Sequence, residues 1–136
     1  MPISKQYALV VGIIAVVMLL VWGGTYLIRD QVKSQGVIIV PTLSPEAERG
    51  EVAFEANCAS CHGNNAAGTD KGPPLVNQVY SSVHHGDFSF ARAVTSGVPQ
   101  HHWLFGSMPP QPQVKGQEVD RIIVYIREIQ SANGIK

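Results

Sequence analysis

The chain has 136 residues, of which 10 are Lys or Arg and 10 are Asp or Glu, so its formal charge is zero with histidine neutral. That balance excludes a strongly basic nucleic-acid binder. The charges are unevenly spread: none falls in the 22 positions from Tyr7 to Ile28, while residues 37–136 carry seven basic and nine acidic groups, a net of −2. A very apolar head therefore precedes one small, slightly acidic domain. A body of about 100 residues buries a smaller fraction of its surface than a larger one does, so a bulky apolar guest would help it.

At about 1.5 Å per residue the stretch from Tyr7 to Ile28 makes a helix of roughly 33 Å, enough for one crossing of a hydrocarbon core of about 30 Å. It is longer than the apolar run of a cleaved signal peptide, and Trp22-Gly23-Gly24-Thr25-Tyr26 leads into further apolar residues rather than a small-x-small cleavage site. Residues 1–28 are therefore expected to form a membrane anchor, with Tyr7, Trp22 and Tyr26 suited to the interfaces. Lys5 and the amino terminus on one side nearly balance Arg29 and Lys33 on the other, so charge leaves the orientation open. Residues 29–43, with Gly36 and Pro41, read as a tether in which Val37 to Val40 is either a short strand or a piece packed on the domain.

The domain proper is expected over residues 44–136 and is all-α. Ser44 is a good N-cap and Pro45 a good first helical residue, and Glu46, Glu48 and Glu51 complement the positive end of the helix that follows. Ala47, Gly50, Phe54 and Ala56 give that helix small or apolar surface up to Cys58. Gly63 to Pro74 reads as a loop, Asp87 to Ser96 as a short helix capped by Asp87 and stopped by Gly97, and Val98 to Lys115 as a proline-interrupted loop. From Gln117, Val119, Ile122, Ile123, Ile126 and Ile129 recur at helical intervals until Asn133-Gly134 supplies a left-handed stop. No alternating pattern is long enough to suggest a sheet.

Cys58-Ala59-Ser60-Cys61-His62 is the C-x-x-C-H spacing in which two thiols add to the vinyl groups of a haem and the adjacent imidazole binds its iron. A structural zinc site would need further Cys or His at related spacing, and a redox dithiol is expected near a βαβ pattern that is missing here. Met108 lies 46 residues after His62 in Gly106-Ser107-Met108-Pro109-Pro110, a rigid loop that could hold its thioether at the sixth iron position. The alternative for Met108 is a buried, gap-filling side chain. A thioether ligand raises the potential and closes the open position that oxygen or peroxide chemistry requires.

Cys58 to His62, Gly72-Pro73-Pro74-Leu75 and Met108-Pro109, with helices on both sides, resemble the class I c-type cytochromes over Ser44 to Gly134. The stretch between His62 and Met108 is shorter than in the long mitochondrial type and looks more like compact bacterial forms, including domains attached to oxidases. The resemblance implies an all-α domain around one covalent haem c, electron transfer rather than an enzyme's catalysis, and no small-molecule substrate. It implies that the Pro73 carbonyl accepts a hydrogen bond from the His62 imidazole, and that Gly50 and Phe54 cross Ile122, Tyr125 and Ile126. It also implies haem attachment outside the cytoplasmic membrane, hence a domain facing the periplasm. The expectation is a single-pass protein of the cytoplasmic membrane that carries single electrons between donor and acceptor complexes. The alternative is a fixed haem subunit of a larger membrane oxidoreductase.

Trp103, Leu104 and Phe105 read as walls of the haem pocket, or else as a partner surface. His84-His85 and His101-His102 have three readings: solvated loop residues, a second metal site in which both loops converge, or substitutes for Met108 at the iron. Glu46, Glu48, Glu51 and Glu55 read as a solvated helix face.

Overall fold

The computed structural model describes residues 3–33 and 37–136, with side chains over 7–24 and 37–136. Lys5, Tyr26, Arg29 and Lys33, to which the sequence reading gave flanking roles, lie outside the described side chains, and Gly36 outside the described residues. The chain divides into two compact units, one up to Val37 and one from Ile38 to Lys136.

The first unit is a single helix, α1, from Ile3 to Lys33. Its window Tyr7–Gly24 has a mean hydropathy of 2.4 and buries none of its residues within the protein. By length and composition this window is a candidate membrane span. The helix continues past Ile28 because Arg29 to Lys33 contains neither Gly nor Pro to stop it.

The second unit begins with an extended segment that is fastened to its own domain. Ile39 N–H donates to Asn133 Oδ1 at 2.9 Å and Asn133 Nδ2 returns a bond to the Ile39 carbonyl at 2.8 Å, while Ile38 and Leu43 pack on the core. Of the 29–43 stretch read as a tether, residues 38–43 thus belong to the globular body. No strand forms among the described residues, because the polar partner of Val37 to Val40 is a side chain rather than a second extended backbone.

Helix α2 spans Pro45–Asn57, with Ser44 Oγ accepting from Ala47 N–H at its start. The same hydroxyl donates to Glu128 Oε1 at 2.7 Å, so the cap also ties α2 to the last helix. A four-residue helix, α3, follows at Ala59–His62, then α4 at Asp87–Ser96 and α5 at Gln117–Ala132. Asp87 sits in the first turn of α4 and Gly86 holds the cap position, since the Asp87 carboxylate is taken by Arg127 Nε at 2.8 Å.

The core is the crossing of α2 and α5. Phe54, Tyr125, Ile126 and Ile129 are fully or almost fully buried there, and the Phe54 and Tyr125 rings stand 5.5 Å apart. Each such side chain contributes roughly 1.5–3 kcal/mol by leaving water. Ala53, not Ala56, completes the buried face of α2, in register with Ala47, Gly50 and Phe54. Glu46 bridges the two helices at their edge, accepting from Arg121 Nε at 2.7 Å and from Arg49, and these bonds hold its carboxyl below the usual range.

Gly50 permits the crossing. A Cβ there would meet the Arg121 carbonyl oxygen at 2.0 Å and its carbon at 2.5 Å, and backbone inside a helix has nowhere to go. Gly50→Ala is therefore expected to cost about 2–3 kcal/mol and lower the melting temperature by roughly 10 °C or more. Gly86→Ala, whose Cβ would stand 3.8 Å from the Ser82 carbonyl oxygen, is expected to shift it by at most about 3 °C. Calorimetric melting of both variants checks the pair, and similar losses at both positions would contradict the packing argument.

Candidate functional site

The end of α2 delivers the cysteines. Cys58 N–H closes α2 on the Phe54 carbonyl, and the Cys58 carbonyl opens α3 by accepting from Cys61 and His62 N–H at 3.1 and 2.9 Å. A single helical turn makes neighbours of residues three and four apart, which brings Cys61 and His62 next to Cys58 along the turn. Both cysteines are free thiols. Burial, followed by the influence of the Cys61 thiol and of Glu118 and Glu55, pushes the Cys58 thiol up to about 11, so it stays protonated at neutral pH.

The loop that follows folds back on α3. Gly68 N–H donates to the His62 carbonyl at 2.6 Å, Thr69 Oγ1 to the Cys61 carbonyl at 2.5 Å, and Leu75 N–H to the carbonyl of buried Ala66 at 2.9 Å. Gly72 makes the return possible, because a Cβ there would lie 2.8 Å from the Cys61 carbonyl oxygen. The outcome is that His62 Nδ1 donates to the Pro73 carbonyl oxygen at 2.9 Å. This fixes the ring and its tautomer and leaves Nε2 as the ligand atom. Burial lowers the His62 pKa, partly opposed by the Pro73 bond, which favours the neutral ring that a metal ion needs.

His62 and Cys58 open onto a cavity of about 760 Å³ whose lining also includes Pro73, Trp103, Phe105 and Met108. Its floor is the apolar face of α5, with Val119, Ile122, Ile123 and Ile126, and Leu75 and Val94 add to the wall. Cys61 is exposed and stands outside that lining. Met108 is positioned by a two-bond exchange with Val98, N–H to carbonyl at 2.9 Å in each direction, which pins this part of the proline-rich loop at the cavity lining. Of the three residues read as pocket walls, Trp103 and Phe105 line the cavity, whereas Leu104 is 94% exposed and turned away. The reason is geometric: successive side chains in a loop point in different directions.

The donor set and shape fit a haem. The volume falls within the range of ordinary ligand cavities, the walls are largely apolar, and the Cys58 thiol, a neutral imidazole and a thioether lie in its lining, with Cys61 one helical turn from Cys58. Trp103 Nε1 is buried without a partner at hydrogen-bonding geometry, although it lies near enough to the Tyr80 hydroxyl to oppose the rise that burial gives that phenol. Such a donor suits an acidic group carried by an occupant of the cavity.

Two residues that sequence pattern did not single out hold the far wall. Arg127 donates to the Tyr80 carbonyl at 2.8 Å, to the His85 carbonyl at 2.5 Å and to Asp87, and stacks 4.7 Å over the Phe90 ring. Buried Gln130 donates to the Leu75 and Tyr80 carbonyls at 2.8 and 3.0 Å. Their signal was present as two polar residues on the inward side of a helix otherwise apolar at those intervals. Both histidine pairs also reach the cavity mouth, where desolvation and then the neighbouring charges of His101, His85 and His84 keep His102 below the usual imidazole range.

A family model described as Cytochrome c matches residues 47–130. A protein described as "Cytochrome c-553-like" from Synechocystis is 32% identical over 122 residues, covering 87% of this chain and 98% of that protein. No solved structure matches.

Arg127→Ala would leave the His85 carbonyl without its side-chain donor and the Tyr80 carbonyl with Gln130 alone, and would remove the partner of Asp87. The expected loss is about 2–4 kcal/mol of stability. It should be accompanied by faster amide exchange at His84 and His85, whose N–H groups rest on the Ser81 carbonyl within the freed loop. Unchanged protection at these two amides would show that the loop holds without Arg127.

Proposed function

The chain belongs to the cytochrome c family, and we propose that it is a membrane-anchored carrier of single electrons with one haem c, working on the periplasmic side of the cytoplasmic membrane. Haem-based electron transfer follows from the family. The observation that supports this site assignment most directly is the His62–Pro73 bond at the edge of the cavity that Met108 also lines.

When bound, the haem supplies a one-electron iron couple. The protein's part is to hold and tune it. Cys58 and Cys61 would hold the haem through thioethers, and His62 Nε2 and Met108 Sδ would bind its iron, with Pro73 setting the basicity of the imidazole. Trp103 and Phe105 close the side of the cavity, and the α5 face excludes water from its floor. With His62 and Met108 both holding the iron, it would be suited to electron exchange rather than to substrate chemistry.

Anchoring rests on α1, whose apolar window is long enough to span a bilayer. Extraction of the full chain by detergent but not by alkaline carbonate, with the domain cleaved by protease only from the periplasmic face, is the expected behaviour. A second reading is favoured by one observation. Residues 38–43, fastened to the domain through Ile39 and Asn133, are withdrawn from the stretch read as a tether and shorten it. A shorter leash suits a haem subunit held beside membrane partners better than a wide-ranging shuttle. Co-migration with other haem or membrane chains in mild detergent supports the fixed subunit, and migration alone supports the carrier.

The ferric protein is expected to show a c-type spectrum with the methionine-to-iron band, and a pyridine haemochrome with both vinyl groups saturated. Met108→Ala should abolish the band and lower the midpoint potential by roughly 100 mV or more while the melting curve retains its cooperativity. Survival of the band in that variant would remove Met108 from the iron. Cys58→Ala should leave a single thioether, read from the shifted haemochrome.

A further inference from the structure

Beyond the haem cavity's own ligands, two loops bring four imidazoles together at its rim. His84 and His85 follow a turn in which both N–H groups bond the Ser81 carbonyl, at 3.1 and 2.7 Å. In an extended segment these neighbours would face opposite ways, but in a helical turn they diverge by only about 100°. Their rings accordingly lie 4.7 Å apart, and the His102 ring arrives from the second loop 5.5 Å from His84 and 5.2 Å from His85. One ring nitrogen from each of the three can be chosen so that all lie within 4.8 Å of one another.

We propose that His84, His85 and His102 form a binding site for a divalent transition-metal ion, separate from the haem iron. Three imidazoles about a tetrahedral Zn²⁺ have nitrogens about 3.3 Å apart, so ring rotations and small loop shifts close the present spacing. The His85 tautomer is already prepared. His85 Nδ1 donates to the Val79 carbonyl at 2.7 Å, which leaves Nε2 as a free ligand atom in the manner of metal-bound histidines. Arg127 holds the His85 carbonyl and Tyr80, so one side of the site is braced by α5. Neutral nitrogen donors without a thiolate or carboxylate suit Zn²⁺ or Cu²⁺ rather than Mg²⁺ or Ca²⁺. His84 and His102 are exposed, which gives an ion a path in and leaves its fourth position to water. His101 packs beside His102 at 4.3 Å, but its ring lies 6.1 Å from that of His85 and it stands outside the set.

The test uses the full-length ferric holoprotein, stripped by chelator and titrated with Zn²⁺ in a calorimeter. One ion per chain is expected, with an affinity that falls about 100-fold or more in the His84→Ala/His102→Ala double variant and stays within about 10-fold in His101→Ala. Cu²⁺ added to the same protein should give an electron paramagnetic resonance signal with hyperfine structure from three nitrogens, lost in the double variant. The optical band from the iron's methionine ligand is expected to be unchanged in every variant, which separates this site from the haem assignment. Absence of stoichiometric binding, equal affinity in the double variant, or full loss in His101→Ala overturns the proposal. Alteration of the haem band by His84→Ala or His102→Ala also overturns it, by assigning those imidazoles to the iron.

Discussion

The close approach of α2 and α5 at Gly50 is the constraint from which the site is built. Where the Gly50 backbone meets the Arg121 carbonyl, no side chain fits between the helices. One turn later Phe54 and Tyr125 fill the widening gap. Cys58 then emerges from the end of α2 over the apolar face of α5, so the attachment turn and the cavity floor are set by one contact. A shift of the helices by even 1 Å would carry His62 away from the loop that holds its ring, because α3 continues from α2 without an intervening linker.

Helix α5 acts at both edges of the cavity. Its apolar residues are the floor, and its polar ones, Arg127 and Gln130, bond the carbonyls of Leu75, Tyr80 and His85, which belong to loops with few backbone partners of their own. Buried carbonyls left without donors would each cost on the order of 1–3 kcal/mol, so these two side chains stabilise loop conformations that local sequence could not maintain. On the other side of the domain Asn133 and Glu128 hold Ile39 and Ser44, which fastens the segment leading to α1.

Elements governed by local chemistry were legible in the sequence. The Ser44-Pro45 start of α2, the span of α4 and the periodic apolar face of α5 all follow from caps, breakers and spacing, and the structure places them at the expected residues. The C-x-x-C-H motif carried its chemistry in its spacing. Features fixed by distant partners were not legible. Asp87 looked like a cap until Arg127, 40 residues away, took its carboxylate. Residues 38–43 read as tether, with packing of Val37 to Val40 on the domain left as one of two alternatives, because their fastening lies at Asn133, 94 positions from Ile39. Leu104 shared an aromatic run with Trp103 and Phe105, yet composition cannot tell which of three neighbours in a loop turns outward.

A cavity of about 760 Å³ inside a domain of this size also explains how so few residues make a stable body. Interiors are normally packed like organic crystals, with few voids larger than a water molecule. Here Ile122, Ile123, Ile126, Leu75 and Val94 present apolar surface to a space that no side chain of the domain fills. An apolar guest in that space would extend the core that α2 and α5 form at their crossing. A covalently held guest cannot leave when the domain breathes, so its burial acts as a permanent part of the core. The same apolar enclosure lowers the dielectric around His62 and favours its neutral ring. Stability and ligand chemistry therefore draw on one wall of side chains, and a substitution on the α5 face that admits water weakens both.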